Sequence, residues 1–286
     1  MFELVSSLRR HKHLVRDFVV RDLKGRYVGS TMGFFWSVLF PLVNLAIYAF
    51  VFRLVLKSRW SDQQPEEQTI LLMFAGIVIW SAFSEAVARA TTTLVENSNL
   101  IQKVVFPSEI LPVYLGISSW VNMCIGLVFV LLAVTWYGYI DPLPTPTVSA
   151  RPGDPEYMPL AFGGSLVLLP ILFVLQYVFA LGLGYLLSAL NLFIRDVAHL
   201  IGVFLMVWMF ATPIFYPPVM VARANYEWVL DLNPMYWLIE AYRDVLLFGQ
   251  WPAAGGLLRF ALVAVLALLI GSSFFQKSKR RFPDLL

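Results

Sequence analysis

RDLKGRYVGSTMGFFW, residues 21–36, joins two kinds of chain. Arg21, Lys24 and Arg26, with Arg16 just upstream, stand immediately before a long apolar run. Gly25, Gly29 and Gly33 recur at every fourth position across the junction, a stripe that another backbone or a headgroup can approach closely. Cations clustered at the edge of an apolar run orient a helix across a bilayer, cationic side inward. They also stand at the depth of lipid phosphates, where an Arg fork can hold a diphosphate by paired hydrogen bonds.

Composition extends the membrane reading to the whole chain. Apolar residues make up 59% and charged residues 14%, and the mean hydropathy is +0.73. Six runs, about 33–52, 70–88, 110–136, one within 160–193, 200–215 and 257–275, approach or exceed the ~20 apolar residues that cross a bilayer core. The fold class is all-α polytopic membrane protein, since a soluble core would not leave such runs free of charge. With the N-terminus inside, 14 of the 21 Lys and Arg fall in segments 1–32, 89–109, 191–199 and 276–286. Six fall in 53–69, 138–159 and 222–254, and Arg259 sits within the last run. Both termini are therefore expected in the cytoplasm. Residues 1–18 have no apolar h-region or cleavage site and do not read as a signal peptide. Leu4, Leu8, His11, Val15 and Phe18 instead share one helical face, with Arg9, Arg10, Lys12 and Arg16 mostly on the others. Such a helix lies in the membrane surface plane.

Several chemistries have no support in the sequence. There is no G-x-x-x-x-G-K-[ST], so ATP binding through a P-loop is not expected. LGLGYLL around Gly182 and Gly184 lacks a third glycine for a dinucleotide loop and sits within a span. Ala180, Gly184 and Ser188, spaced by four, make a small-residue face for helix packing instead. His11, His13 and His199 have no carboxylate or cysteine at metal-ligand spacing, so no metal site is expected. The single Cys124 permits no disulfide within the chain, and no serine sits in a nucleophile elbow. Glu85 and Arg89, four apart, read as an intrahelical ion pair. No further acids lie at mid-membrane depth to relay protons, so the energy for any transport is expected from a separate ATPase.

Three stretches invite a sharper reading. ENSNLIQKVVFPSEILP, 96–112, is short, cytosolic and amphipathic, and its patch of Leu100, Ile101, Val104 and Val105 either rests on the bilayer or docks into another protein. Residues 217–254 are too apolar for a simple outside loop and divide into two amphipathic pieces at Asn233 and Pro234. Aromatics crowd the first span (Phe34, Phe35, Trp36, Phe40, Tyr48, Phe50, Phe52) and mark the fifth (Trp208, Phe210, Phe215, Tyr216). They either face lipid and its interfaces or line a path along which sugar rings can stack.

RDLKGRYVGSTMGFFWSVLFPL, NLIQKVVFPSEILP, NLFIRDVAHL, ATPIFYPP and LNPMYWLIEAYRDVLL, taken in order, resemble the transmembrane subunits of ABC-2-type polysaccharide exporters, which include the O-antigen, capsule and teichoic acid permeases. Together they cover nearly the whole chain, while GYIDPLPTPTVSARPGDPEYMP, 138–159, has no counterpart and looks like an insertion. The resemblance implies one domain over 1–286, with interface and gate helices in 1–32, six spans in 33–275 and a cytosolic tail in 276–286. It implies a homodimer in the bacterial inner membrane, two copies of a separate P-loop ATPase that holds the ATP and Mg, and no nucleic acid partner. The cargo would be a glycan on a polyprenyl-diphosphate or related lipid, fed stepwise through a continuous channel.

Residue roles follow from the same resemblance. Asn97 to Glu109, including Leu100, Ile101, Lys103, Val104, Phe106 and Pro107, would be the coupling helix that fits a groove on the ATPase. Residues 3–20 would touch the ATPase as well, and Asn191 to His199, with Arg195 and Asp196, would add a smaller contact. The pieces around Asn233 and Pro234 would be short re-entrant helices at the outer mouth, with Glu240, Arg243 and Asp244 at its rim. Arg21, Lys24, Arg26 and Tyr27 would receive the lipid diphosphate at the cytosolic gate. Phe34, Trp36, Phe40, Tyr48, Trp208, Phe215 and Tyr216 are candidates for the channel lining. An ABC-2 permease for a drug or simple lipid is a close alternative. A membrane enzyme acting on polyprenyl-phosphate sugars would need a cluster of acids for metal and diphosphate, which the cytosolic loops lack. A purely structural membrane partner would leave the outside pattern unexplained.

Overall fold

The computed structural model describes residues 2–26, 35–55, 60, 64–103, 106–143 and 157–286. Tyr27, Gly29, Gly33, Phe34, Val104, Val105 and most of the 138–159 loop lie outside the described residues. Every regular element among the described residues is helical.

The N-terminal helix is in two pieces, α1 (Phe2–Arg10) and α2 (Lys12–Gly25), divided at His11, whose ring meets the Ser7 carbonyl. α2 lies along α6 (Ile110–Thr135) and buries Phe18, with Leu14, Val15 and Val19 packed beside it. Leu8, Val15 and Phe18 of the face expected from spacing thus pack on protein.

Among the described residues four helices are long and apolar enough to cross a membrane: Glu66–Glu96, Ile110–Ile140, Gly164–Phe193 and Ala254–Leu285. They contain α4 (Glu66–Glu96), α6, α7 (Leu169–Phe193) and α12 (Ala254–Ser278). Two shorter apolar helices, Leu39–Phe52 and Val197–Ala211, occupy the places expected for the first and fifth spans. The first belongs to α3 (Phe35–Tyr48), which carries Pro41 and then widens into a π-helical turn, Ala49–Val55. A proline removes a helix hydrogen bond and crowds the turn before it, so local irregularity in this helix is the physical consequence. Pro112 and Pro170, by contrast, sit in the opening turns of α6 and α7, where the missing N–H costs nothing.

α4 is the centre of the bundle. Its most apolar stretch is 83% buried, against 39%, 28% and 22% for the other three long helices. α7 and α12 approach backbone to backbone: a Cβ on Gly271 would lie 2.0 Å from the Gly182 carbonyl oxygen, and one on Gly182 would lie 2.4 Å from the Leu268 nitrogen. Gly184 turns instead toward Ala90 of α4, as the small-residue face requires. One polar staple crosses this core. The Gln176 amide donates to the Ile79 carbonyl at 3.1 Å, and the Tyr242 hydroxyl donates to Gln176 Oε1 at 2.9 Å, which satisfies groups that lipid could not.

Beyond α8 (Val197–Ala211) the chain forms three short helices, α9 (Pro218–Arg223), α10 (Glu227–Asp231) and α11 (Pro234–Leu246), before entering α12. α5 (Ser98–Lys103) lies in the loop after α4, and α13 (Phe282–Leu285) is the last helix.

Candidate gates and coupling surface

The basic stretch is folded into an ion network. Arg26 Nε donates to Asp22 Oδ2 at 3.2 Å, and its Nη1 pairs with Glu85 Oε1 at 2.6 Å. Arg89 pairs with both Asp22 oxygens and, at 3.4 Å, with Glu85. Glu85 and Arg89 are therefore half of a four-residue bridge between α2 and α4, wider than the intrahelical pair expected from their spacing. Burial pushes the Asp22 carboxyl up, but the hydrogen bond and charge of Arg89, with Arg26 behind, hold it below 3.8 on balance. Arg26 keeps one buried nitrogen, Nη2, without a hydrogen-bond partner among the described residues. It stands at one end of an apolar cavity of about 360 Å³ between α3, α4 and α6.

Arg21 and Lys24 are exposed. The Arg21 guanidinium lies over the Phe18 ring at 4.3 Å, and among the described residues no carboxylate pairs with Lys24. With Arg16 they border a surface groove of about 620 Å³ whose one acid is Asp17. The structure thus separates the basic residues: Arg26 is spent mostly on α4, whereas Arg16, Arg21 and Lys24 face outward.

The loop between α4 and α6 is held from three sides. Phe106 packs on Phe18 of α2 with ring centroids 5.6 Å apart. The Tyr185 hydroxyl of α7 donates to the Glu109 carbonyl at 3.0 Å. Glu109 Oε2 receives the Lys279 ammonium at 2.6 Å, while Phe282 inserts fully buried beside Phe275. Lys103 and Gln102 remain exposed, Leu100, Ile101, Phe106 and Pro107 are half-buried, and Glu109 is only 5% exposed. Asn97 caps the end of α4 by donating to the Thr93 carbonyl at 2.8 Å. Glu109 therefore braces the loop from behind and does not present a charge to a partner. Arg195 and Asp196 lie exposed in the turn between α7 and α8. Lys279 reads from spacing only as part of a basic tail, because its partner stands 170 residues away.

The Glu109–Lys279 pair carries a pH signature. Burial raises the Glu109 carboxyl, but Lys279 outweighs it and leaves the group below its ordinary 4.5. A depressed carboxyl contributes stability that is complete above its unfolded value and is lost as pH falls through the folded one. Hydrogen exchange in residues 279–285 is expected to accelerate as pH drops below 4.5, after correction for intrinsic rates. Flat protection down to pH 3 would show that the pair does not hold the tail.

At the other end, Asn233 joins α8 to α11. Its Oδ1 caps α11 by accepting from the Met235 and Tyr236 N–H groups and also from Trp208 Nε1 at 2.9 Å. Its Nδ2 donates to Thr212 Oγ1 at 2.9 Å. Pro234 follows as the first helical residue, where its fixed φ suits helix initiation. Arg243, placed at the rim by sequence, is instead 1% exposed. Its fork donates to the carbonyls of Leu72 (3.1 Å), Pro213 (3.0 Å) and Ile214 (3.3 Å) and to Glu240 at 2.6 Å, and Trp60 lies over it at 4.7 Å. Glu240 and Asp244 remain partly exposed one turn apart on α11. Burial first, then the nearby Glu240, push the Asp244 carboxyl up to about 7, against the lowering charge of Arg243.

The aromatic candidates fall into separate groups. Tyr48, Phe52 and Phe210 surround Phe215, with Phe52 stacked on it at 5.7 Å, and the Tyr216 hydroxyl donates to the Phe210 carbonyl. Trp36 packs on Phe40, which is 61% exposed. Trp208 meets Trp80, Phe83 and Phe179 at right angles inside the bundle. Its ring therefore packs within this chain, and the exposed aromatics of its helix are Phe204 and Phe210.

Known proteins resemble this chain in sequence from end to end. The O-antigen export system permease protein RfbA of Myxococcus xanthus is 30% identical over 285 residues, covering 99% of both chains. Two permeases of the same name from Klebsiella pneumoniae are 26% and 24% identical over 272 residues, covering 93% of this chain and 92% of theirs. The sequence model of the ABC-2 type transporters matches residues 14–247, from the basic interface helix through the outer helices. The chain belongs to the ABC-2 type transporter family.

Proposed function

We propose that this chain is the membrane-spanning permease subunit of an ATP-driven exporter of polysaccharide, carried as a lipid-diphosphate-linked glycan of the O-antigen kind. In this reading α3 and α8 complete six spans, α9 to α11 dip back at the outer mouth, and both termini face the cytoplasm of the bacterial inner membrane. Two copies form the channel, and two separate ATPase subunits, holding ATP and Mg, bind below. The observation that carries the proposal is the braced cytosolic loop. Phe106 packs on α2, Glu109 is bonded to α7 and to Lys279 of the chain's own tail, and α5 lies against α4 and α13, so a push on the exposed Lys103 side passes into the bundle and is not absorbed locally. Arg195 and Asp196 supply the second contact. The similarity along the full length to proteins named as O-antigen export permeases favours a glycan over a drug or simple lipid.

The cytosolic gate takes a more definite form. Lys24 and Arg21, outward and free of carboxylate partners among the described residues, receive the diphosphate in the groove they share with Arg16. Arg26, bound to Asp22 and Glu85, holds α2 against α4 beside the cavity where lipid enters. Tyr27 adjoins this gate. Lys24→Gln is expected to cut export about tenfold, the order expected for one lost charge-assisted hydrogen bond, with unchanged topology and ATPase binding. Arg26→Lys retains charge but breaks the fork between two carboxylates, so it should loosen α2 as well as slow export. Export is measured as surface glycan in cells lacking the native permease but retaining its ATPase. Full complementation by Lys24→Gln would remove the diphosphate role from this groove.

A further inference from the structure

A cavity of about 330 Å³ opens on the outer side, between the start of α4, the Pro217–Pro218 entrance to α9, and α11. This is the small end of the range for ligand sites, about 300–1,000 Å³. Trp60 and Phe248 wall it with aromatic surface, and Gln64, Glu240 and Asp244 bring polar groups to it. Gln64 is 4% exposed, and its Oε1 is buried without a hydrogen-bond partner. A buried acceptor left unpaired is costly, so such a group at a cavity wall is a place where a ligand donor is expected.

The cavity is also prepared by what lies beneath it. Trp60 is fixed through its backbone N–H, which donates to Thr69 Oγ1 at 3.1 Å, and its ring covers the buried Arg243 guanidinium. Arg243 in turn takes Glu240 at 2.6 Å. One carboxylate is thereby neutralised and held, and Asp244 is left as the acid able to engage a ligand. An uncharged, hydroxyl-rich ring suits this set. Asp244 and Gln64 can accept from hydroxyl groups, while the aromatic walls cover the ring's C–H faces. A divalent cation does not suit it, because one of its two carboxylates already serves Arg243. Burial also leaves Asp244 protonated part of the time near neutral pH, so that it donates as well as accepts.

The geometry points to a subsite for a pyranose unit of the exported glycan, formed by Trp60, Gln64, Asp244 and Phe248 at the outer mouth. It rests on the glycan reading and adds a place where a sugar pauses as it leaves, next to the helices that close the outer side. A released chain held one unit at a time there would resist sliding back between ATP cycles.

The test uses the full-length permease in lipid nanodiscs, without ATPase, and the methyl glycosides of glucose, galactose, mannose, rhamnose and N-acetylglucosamine as probes. Saturation-transfer NMR is expected to mark the ring protons of at least one glycoside. Asp244→Asn and Gln64→Leu should each weaken that binding about tenfold, the effect of losing one hydrogen bond with a charged or buried partner. Two variants guard against one of them misfolding, which size-exclusion profiles report. Trp228→Phe, on α10 outside the cavity, should bind as the parent does. No transfer from any probe, or equal transfer in parent and both variants, would overturn the subsite. So would calcium binding that Asp244→Asn abolishes while no glycoside binds, since that marks a cation site. Surface glycan measured in parallel separates the two ideas: absent binding with intact export sinks the subsite alone, and export of a non-glycan cargo sinks both.

Discussion

Arg243→Met is expected to destabilise the folded permease by roughly 3–5 kcal/mol, about 1–3 kcal/mol for each buried polar group left unpaired. The side chain is 1% exposed and its fork reaches three carbonyls and one carboxylate. Met fills the volume but donates nothing. Leu72 lies within α4, but the Pro213 and Ile214 carbonyls lie in a non-helical stretch where no backbone donor among the described residues reaches them. Glu240 can turn to water because it is about a third exposed, so most of the cost comes from those carbonyls. Space was left for the guanidinium as well, since a Cβ on Gly76 would lie 3.1 Å from Nη2. Thermal unfolding in detergent should show the loss as a large fall in apparent Tm. Arg243→Lys should recover only part of it, because one ammonium cannot span the positions of a fork. A Met variant as stable as the parent would mean that the buried fork contributes nothing net, as some buried ion pairs do.

The same residue marks the limit of what could be read from the chain. Its membrane class, its helical spans and the packing face of α2 were legible because each is a local property of composition or period. Leu8, Val15 and Phe18 lie on one stripe whatever α2 packs against. The resemblance put Arg243 at the rim with Glu240 and Asp244, whereas its fork is buried on carbonyls such as that of Leu72, 171 residues away. Glu85 and Arg89 invited an intrahelical reading for the same reason, while Asp22, 67 residues from Arg89, completes the network. Trp208 was placed on a channel by its neighbours in sequence, and the bundle took it through Trp80, Phe83 and Phe179. Span number was harder. Hydropathy proposed six, and among the described residues four helices meet the length; the fifth, Val197–Ala211, ends at the Thr212–Pro213 break, and Pro41 and the π-helical turn make the first irregular. Polar partners far apart in sequence leave no periodic trace, so gates and braces are where spacing alone fails.

Phe106→Asp should abolish co-purification of the ATPase subunit while leaving the permease inserted in the membrane. Phe106 is held against Phe18, which is itself buried beside Tyr114 at 5.2 Å. A carboxylate there must either lose water or pull the loop outward, and the cost of burying an unpaired charge makes it leave. It would also stand near the buried Glu109 without a second lysine to neutralise it. Loop displacement carries α5 and Lys103 away from the surface they share with α1 and the tail, where a groove of about 690 Å³ lies among Arg10, His11, Lys103 and Lys279. The spans do not depend on this contact, because α4, α7 and α12 are joined through Gly182, Gly271 and Gln176 deeper in the bundle. Phe106→Leu keeps an apolar side chain on Phe18 and is expected to retain most of the ATPase. Lys103→Glu reverses charge on the exposed side without touching the packing, so it should weaken docking with the loop still in place. If Phe106→Asp and Lys103→Glu both co-purify the ATPase at parental levels, the docking surface lies elsewhere, and the exposed turn at Arg195 and Asp196 becomes the place to look.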